Sequence, residues 1–140
     1  MLERESRLLE ALASLVTRHV VDKLPARRMG LEHQAVKRTR EYLEALPSDN
    51  VSLEKLAREA GLSSFHLCRV FREETGLAPH AYQTLMRVRL AKTLLAKRLP
   101  ISQVAVEVGF YDQAHLTRHF KRIFGVTPGR YLSKVLPSVV

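Results

Sequence analysis

Acidic residues are in short supply in this chain of 140 residues: 14 Asp and Glu stand against 23 Lys and Arg, a net charge of +9 with a pI near 10.2. That imbalance points to a polyanionic partner, with nucleic acid and an acidic membrane surface as the two candidates. Cysteine is nearly missing. Cys68 stands alone, which excludes a disulfide framework within the chain and a zinc site built on cysteines. A reducing, cytoplasmic compartment is the matching expectation. No run of about eighteen apolar residues exists, so nothing in the sequence spans a bilayer. The first residues also lack the charged, apolar and small-residue succession of a secretory signal. Glycine-rich phosphate loops and paired catalytic carboxylates are absent, so the chain reads as no enzyme. No stretch alternates polar and apolar residues long enough to make a strand. What remains is a hydrophobic share of 46% with 26% charged residues, ordinary for a folded protein and too high for wholesale disorder. The length suits one domain with a short appendage.

The positive charge is concentrated. Residues 1–50 hold nine basic and eight acidic residues, whereas 51–140 hold fourteen and six, so the anion-binding surface is expected in the second part. Residues 1–24 form an amphipathic helix, with Leu8, Leu12, Leu15, Val16, His19 and Val20 at three- and four-residue steps. Pro25 to Gly30 reads as a linker. A second helix follows from Leu31 to Leu46, its stripe made by Val36, Thr39, Tyr42, Leu43 and Leu46. Five more are placed: from a cap at Ser52 through Ala60, from Ser63 or Ser64 through Glu74, from Pro79 to Arg98, from Ile101 to Val108, and from a cap at Asp112 through Phe124. A last short helix begins at Pro128, and 136–140 is a tail. The fold class is all-α.

The sequence also repeats itself. Leu53, Ala57, Glu59, Gly61 and Leu62 correspond to Ile101, Ala105, Glu107, Gly109 and Phe110. Beyond one extra residue in the second turn, Tyr111, the match resumes: His66, Leu67, Arg69, Phe71, Gly76, Pro79 and Tyr82 pair with His115, Leu116, Arg118, Phe120, Gly125, Pro128 and Tyr131. Two copies are too few for a solenoid. Each carries the marks of a helix-turn-helix: a small alanine where two helices cross, a glycine four residues on where the turn calls for positive φ, then a leucine to fill the angle.

At these residues the chain resembles the AraC/XylS transcription regulators. The resemblance rests on Gly109 and Phe110 through His115, Phe120, Phe124, Gly125, Thr127, Pro128 and Tyr131, with Arg89 and Ala91 in the long helix. It covers roughly residues 33–133. It implies a DNA-binding domain at 31–135 made of two helix-turn-helix units, 52–75 and 101–124, each a homeodomain-like three-helix unit. The long helix 79–98 would join them, and the two recognition helices would enter successive major-groove segments on one face of double-stranded DNA. The expected function is sequence-specific transcription regulation, as an activator. Independently, a helix of about nineteen residues is about 28 Å long, which suits two elements about one DNA turn apart.

On the first recognition helix Ser64, Phe65, Cys68 and Arg69 take the outward face. The family pattern gives Phe65 and Arg69 contacts to base edges or thymine methyls and places Cys68 in the groove. Core packing is the alternative for Phe65, and an ion pair with Glu73 the alternative for Arg69. On the second helix Gln113, Ala114, Thr117 and Arg118 correspond. Gln can pair with adenine and Arg with guanine, while Ala and the Thr methyl pack on thymine. Arg72, Arg87, Arg89, Lys92, Lys121 and Arg122 are the phosphate candidates, giving affinity without sequence information. His115 and His119 with Asp112 have the spacing of a zinc face. The glutamate of a zincin motif is missing, however, and His66 recurs at the place of His115, which indicates packing or DNA contact. No metal and no cofactor are expected. His66 and Cys68 likewise lack the orientation of a base and nucleophile.

Residues 1–24 read as the end of a missing sensing or dimerising domain, a helix folded back on its own domain, or part of a small standalone regulator. RNA polymerase and a second copy, held through residues 1–24, are the further partners considered. Two rival functions remain. One is an architectural nucleic-acid-binding protein without sequence specificity. The other is a partner of acidic membranes or proteins through the basic segment 85–98, although the paired turns have no use there.

Overall fold

A computed structural model describes residues 2–135, with side chains described for 4–15 and 27–135; the tail 136–140 lies outside the described residues. Seven helices follow one another and no strand occurs among these residues: α1 (Leu2–Ala45), α2 (Leu53–Ala60), α3 (Ser64–Thr75), α4 (Pro79–Ala96), α5 (Ile101–Glu107), α6 (Gln113–Phe124) and α7 (Pro128–Val135). The all-α expectation stands, and the helix boundaries agree to within one residue except at two places.

The first is the linker expected at Pro25–Gly30, which is helical: α1 runs unbroken through it. A proline inside a helix costs about 3 kcal/mol and removes one backbone bond. Ala26, Arg27, Arg28 and Met29 are strong helix formers, and helices on both sides propagate through them. The fold-back reading of the first segment is also corrected. Leu8, Leu9, Leu12 and Leu15 are exposed along α1 rather than packed on the domain. Val16, His19 and Val20 carry side chains outside the described residues. The second is the end of α4, at Ala96 rather than Arg98, because Arg98 adopts φ 62° ahead of Leu99 and Pro100.

Two hydrophobic cores form. The end of α1 packs with α2 and α3 through Val36, Leu43, Leu56, Ala57, Leu67, Val70 and Phe71, with Tyr82 at its edge. The second half of α4 packs with α5 and α6 through Val88, Ala91, Leu95, Val104, Ala105, Val108, Phe110, Leu116 and Phe120, and Tyr131 and Leu132 of α7 close it. Thus α4 belongs to both units. Ala57 and Ala105 are buried at the two helix crossings. Both turns close alike: Gly61 (φ 72°) and Gly109 (φ 98°) reverse the chain, and the N–H of Leu62 and of Phe110 reach back 2.9 Å to the carbonyls of Ala57 and Ala105. Only glycine takes that conformation without strain.

Candidate nucleic-acid interface

Helices α3 and α6 start from equivalent caps. Ser63 Oγ accepts the His66 N–H at 3.1 Å, and Asp112 Oδ1 accepts the His115 N–H at 2.8 Å. Ser64 is therefore the first helical residue and Ser63 the cap. Neither helix carries an acidic residue within its first turn, but the caps differ: the N-terminus of α3 keeps its partial positive charge, whereas that of α6 faces the Asp112 carboxylate.

From these caps, helical geometry fixes which side chains face out. Leu67, Val70 and Phe71 are buried on α3, which turns Phe65, Arg69 and Arg72 outward. Leu116 and Phe120 are buried on α6, which turns Ala114, Arg118 and Lys121 outward. These are the same three positions in the two copies. Phe65 is 81% exposed, so its core-packing alternative is excluded. Arg69 forms no ion pair among the described residues, and neither do Arg72, Arg118 and Lys121. Gln113 is exposed beside Ala114. Ser64, Cys68 and Thr117 are half-buried on the shoulders of the two helices. Cys68 lines an apolar hollow with Leu43, Leu53, Leu56 and Pro79, aside from the outward row.

The phosphate candidates divide. Arg72, Arg89 and Lys121 are exposed. Lys92 is exposed too, with its ammonium 4.9 Å from the Phe124 ring centroid and 5.5 Å from that of Tyr131, so it also links α4 to α6 and α7. Arg122 is held on the flank of α6, where its Nη2 donates to His119 Nδ1 at 2.6 Å. Arg87 is corrected: it is 9% exposed and its guanidinium is spent on the protein. Nε donates to the Pro47 carbonyl at 2.7 Å, Nη1 to the Gly109 carbonyl at 3.1 Å, and Nη2 to the Asp49 carbonyl at 3.1 Å. Burial pulls its pKa below the usual arginine value, with the Asp49 charge opposing. Buried and with four of its five donors turned to protein acceptors, Asn50 Oδ1 included, it is not placed to hold a phosphate.

The histidines of the repeat serve packing. His66 Nε2 lies 2.7 Å from Glu32 Oε1 and ties α3 to α1, as does His33 Nδ1 with Glu74 at 3.2 Å. His115 accepts the Tyr111 N–H at 3.3 Å and meets the Phe110 ring edge-on. His119 stacks on Phe110 with centroids 5.5 Å apart. Burial, and then the Arg122 charge, hold the His119 pKa below its ordinary value. No three His, Cys, Asp or Glu side chains gather into a metal-binding group among the described residues. No helix there is long and apolar enough to cross a membrane.

One residue of this surface escaped the sequence reading. Tyr111 is 89% exposed in the turn just before α6. Its position as the inserted residue of the second copy was the available signal, because an insertion between two packed helices must bulge outward.

Comparison with known proteins agrees with this geometry. The family described as a helix-turn-helix domain matches residues 56–134. The chain is 39% identical over 88 residues to the HTH-type transcriptional regulator MtrA of Neisseria gonorrhoeae, covering 61% of this chain and 29% of that one. It is 35% identical over 91 residues to the probable transcriptional regulator LumQ of Photobacterium leiognathi, covering 64% and 37%. The chain thus spans about a third of the length of these relatives, whose names are those of regulators rather than enzymes. Among solved structures, a probable AraC family transcriptional regulator from Rhodopseudomonas palustris superposes with a TM-score of 0.68 at 29% identity, covering 74% of this chain and 99% of that one. The DNA-binding domain of AdpA, a global transcriptional factor solved in complex with a target DNA, superposes with a TM-score of 0.62 at 30% identity, covering 76% and 96%. The doubled helix-turn-helix, the family match and these neighbours agree: the chain belongs to the AraC/XylS family and carries its DNA-binding domain.

Proposed function

We propose that residues 31–135 bind double-stranded DNA sequence-specifically, α3 and α6 entering successive major-groove segments on one face of the duplex, and that the protein regulates transcription as an activator. The observation that carries this is the repeated outward row: Phe65, Arg69 and Arg72 on α3, Ala114, Arg118 and Lys121 on α6, exposed and, among the described residues, free of ion pairs, at helices joined by α4. Phe65, Arg69, Gln113, Ala114 and Arg118 read base edges, with Ser64, Cys68 and Thr117 at the margins of the groove. Arg72, Arg89, Lys92, Lys121 and Arg122 hold phosphates. Eighteen residues of α4 span about 27 Å, close to the pitch of one DNA turn. The likeness to the AdpA domain, solved on its target DNA, supports the same docking. The exposed leucines of α1, Leu8, Leu12 and Leu15, suit pairing with a second copy through residues 1–24, and RNA polymerase is the partner an activator needs. The setting is the cytoplasm.

The test is selection of bound sequences from a random duplex pool. A bipartite motif with half-elements about 10 base pairs apart is the expected result. A pool enriched for no sequence would favour an architectural protein and end the specific reading.

A further inference from the structure

The row of α4 that repeats every fourth residue is Pro79, Gln83, Arg87, Ala91 and Leu95, and all five are buried. Its middle member is an arginine at the place where the two cores meet. The loop between α1 and α2 belongs to the first unit. Its Pro47 and Asp49 carbonyls accept from Arg87, and Asn50 Oδ1 lies 3.4 Å from Nη2. Gln83, one turn earlier, donates to the same Asp49 carbonyl at 2.7 Å. Tyr42 donates its hydroxyl to the Asp49 carboxylate, so the loop is also held from α1. The fourth acceptor lies in the other unit: the Gly109 carbonyl in the turn between α5 and α6, 3.1 Å from Nη1.

The fit at Gly109 is tight as well as bonded. A Cβ there would lie 3.0 Å from Arg87 Cζ, Arg87 Nε and the Ser48 carbonyl, against open space at Gly61, the equivalent glycine of the first copy. The asymmetry is informative. Both glycines serve their turns, but only Gly109 also admits the arginine and the loop of the other unit. A planar, permanently charged fork with donors in fixed directions can span acceptors on two sides of such a junction, where a lysine offers a single point of charge.

We infer that Arg87 is a positioning residue that locks the first unit's 47–50 loop to the second unit's Gly109 turn, and so sets the interval between the two recognition helices. This rests on the two-groove reading above. A helix alone is an incomplete ruler, because each unit can roll about its own contact with α4. Bonds from one side chain to both units remove that freedom. The consequence is strict spacing between the half-elements of the DNA target.

The experiment uses the full chain and the bipartite duplex it selects, with one or two base pairs inserted or deleted between the half-elements. The wild type is expected to lose about tenfold or more in affinity on the altered spacings, since either DNA or protein must deform. Arg87→Met keeps the length and the apolar stem but no donors. It should bind the best duplex more weakly, with the spread across spacings collapsing to about threefold or less, since charged hydrogen bonds of this kind are each worth about tenfold or more. A folded Arg87→Met with the wild-type spread would overturn the inference, leaving Arg87 a stabilising residue only. If Arg87→Met does not fold, Asn50→Ala removes one acceptor from an exposed loop; a narrower spread supports the lock and an unchanged one overturns it. A wild type indifferent to spacing would overturn the two-groove reading and the lock with it, and it would show before any variant is made.

Discussion

Ser63 and Asp112 hold the same place in the two halves of the domain: each accepts, through its side-chain oxygen, the backbone N–H of the histidine three residues on, at 3.1 and 2.8 Å. The two caps differ in charge, and the charge lies at the positive end of α6. Ser63→Ala is expected to lower stability by about 0.5–2 kcal/mol. Asp112→Ala should lose that and about 0.3–1 kcal/mol more from the helix dipole, with Asp112→Ser restoring the first part only. Urea unfolding at neutral pH measures all three. Equal losses for both alanine variants would mean that the carboxylate charge adds nothing.

Phe65 tests what an exposed aromatic is for. Nothing in the domain covers it, so Phe65→Ala should change stability by less than about 0.5 kcal/mol, as for other open surface positions. If its ring enters a groove, burial there is worth about 1.5–3 kcal/mol, and affinity for the selected duplex should fall by that amount. The two measurements together separate the roles. Lost stability with retained affinity would return Phe65 to a structural part.

Most of the fold was legible because local signals agreed with tertiary packing. Caps at Ser52 and Asp112, the turn glycines Gly61 and Gly109, and buried leucines at Leu67 and Leu116 each follow from a short-range rule, and the repeat doubled the glycines and the leucines. Two of the misreadings came from weighing one residue alone. Pro25 breaks one hydrogen bond, whereas the turns on either side of it keep theirs, so α1 continues. Arg87 was grouped with Arg89 because both are basic and close in sequence. The decisive clue was position rather than charge: Arg87 shares its row with Gln83, Ala91 and Leu95, while Arg89 lies off that row and is exposed. A buried arginine needs acceptors, and here they come from a loop 38 residues away from it and from a turn 22 residues away, which no local pattern announces.

His119 gives the domain a pH response of known sign. Burial, Arg122 and His115, in that order, hold its pKa below the ordinary 6.5, so the fold favours the neutral ring that accepts from Arg122. The unfolded chain then takes up a proton that the folded one refuses. Stability is full above about pH 6.5, falls as the pH drops through the window between 6.5 and the lower folded value, and levels off below it. His119→Gln keeps an acceptor for Arg122 and has no proton to take up. Urea midpoints across that window should fall more steeply with acid for the wild type than for the variant. Parallel curves would show that His119 protonates freely in the folded state.

The division of the outward rows into residues that read and residues that hold makes the last prediction. Arg118 and Lys121 lie one turn apart on the same face of α6, both exposed and without an ion pair among the described residues, so a general electrostatic effect would treat them alike. Their side chains differ in kind. The guanidinium of Arg118 can pair with two acceptors on one guanine edge, whereas the ammonium of Lys121 is a compact charge suited to a phosphate. Arg118→Ala should therefore cost about 1–3 kcal/mol on the best duplex and relax the preference at one or two base pairs. Lys121→Ala should weaken all sequences about equally. Salt separates them further. With roughly five to eight phosphate contacts, log K should fall against log salt with a slope of roughly −4 to −7. Removing Lys121 should reduce that slope by about 1. Removing Arg118 should leave it nearly unchanged, because a base contact releases no condensed counterion. Titrations of both variants on the selected and on scrambled duplexes, over a salt series, give all of these quantities at once. If the two variants showed the same loss on both duplexes and the same slope, α6 would be binding as a charged rod, and its part in sequence recognition would be ruled out.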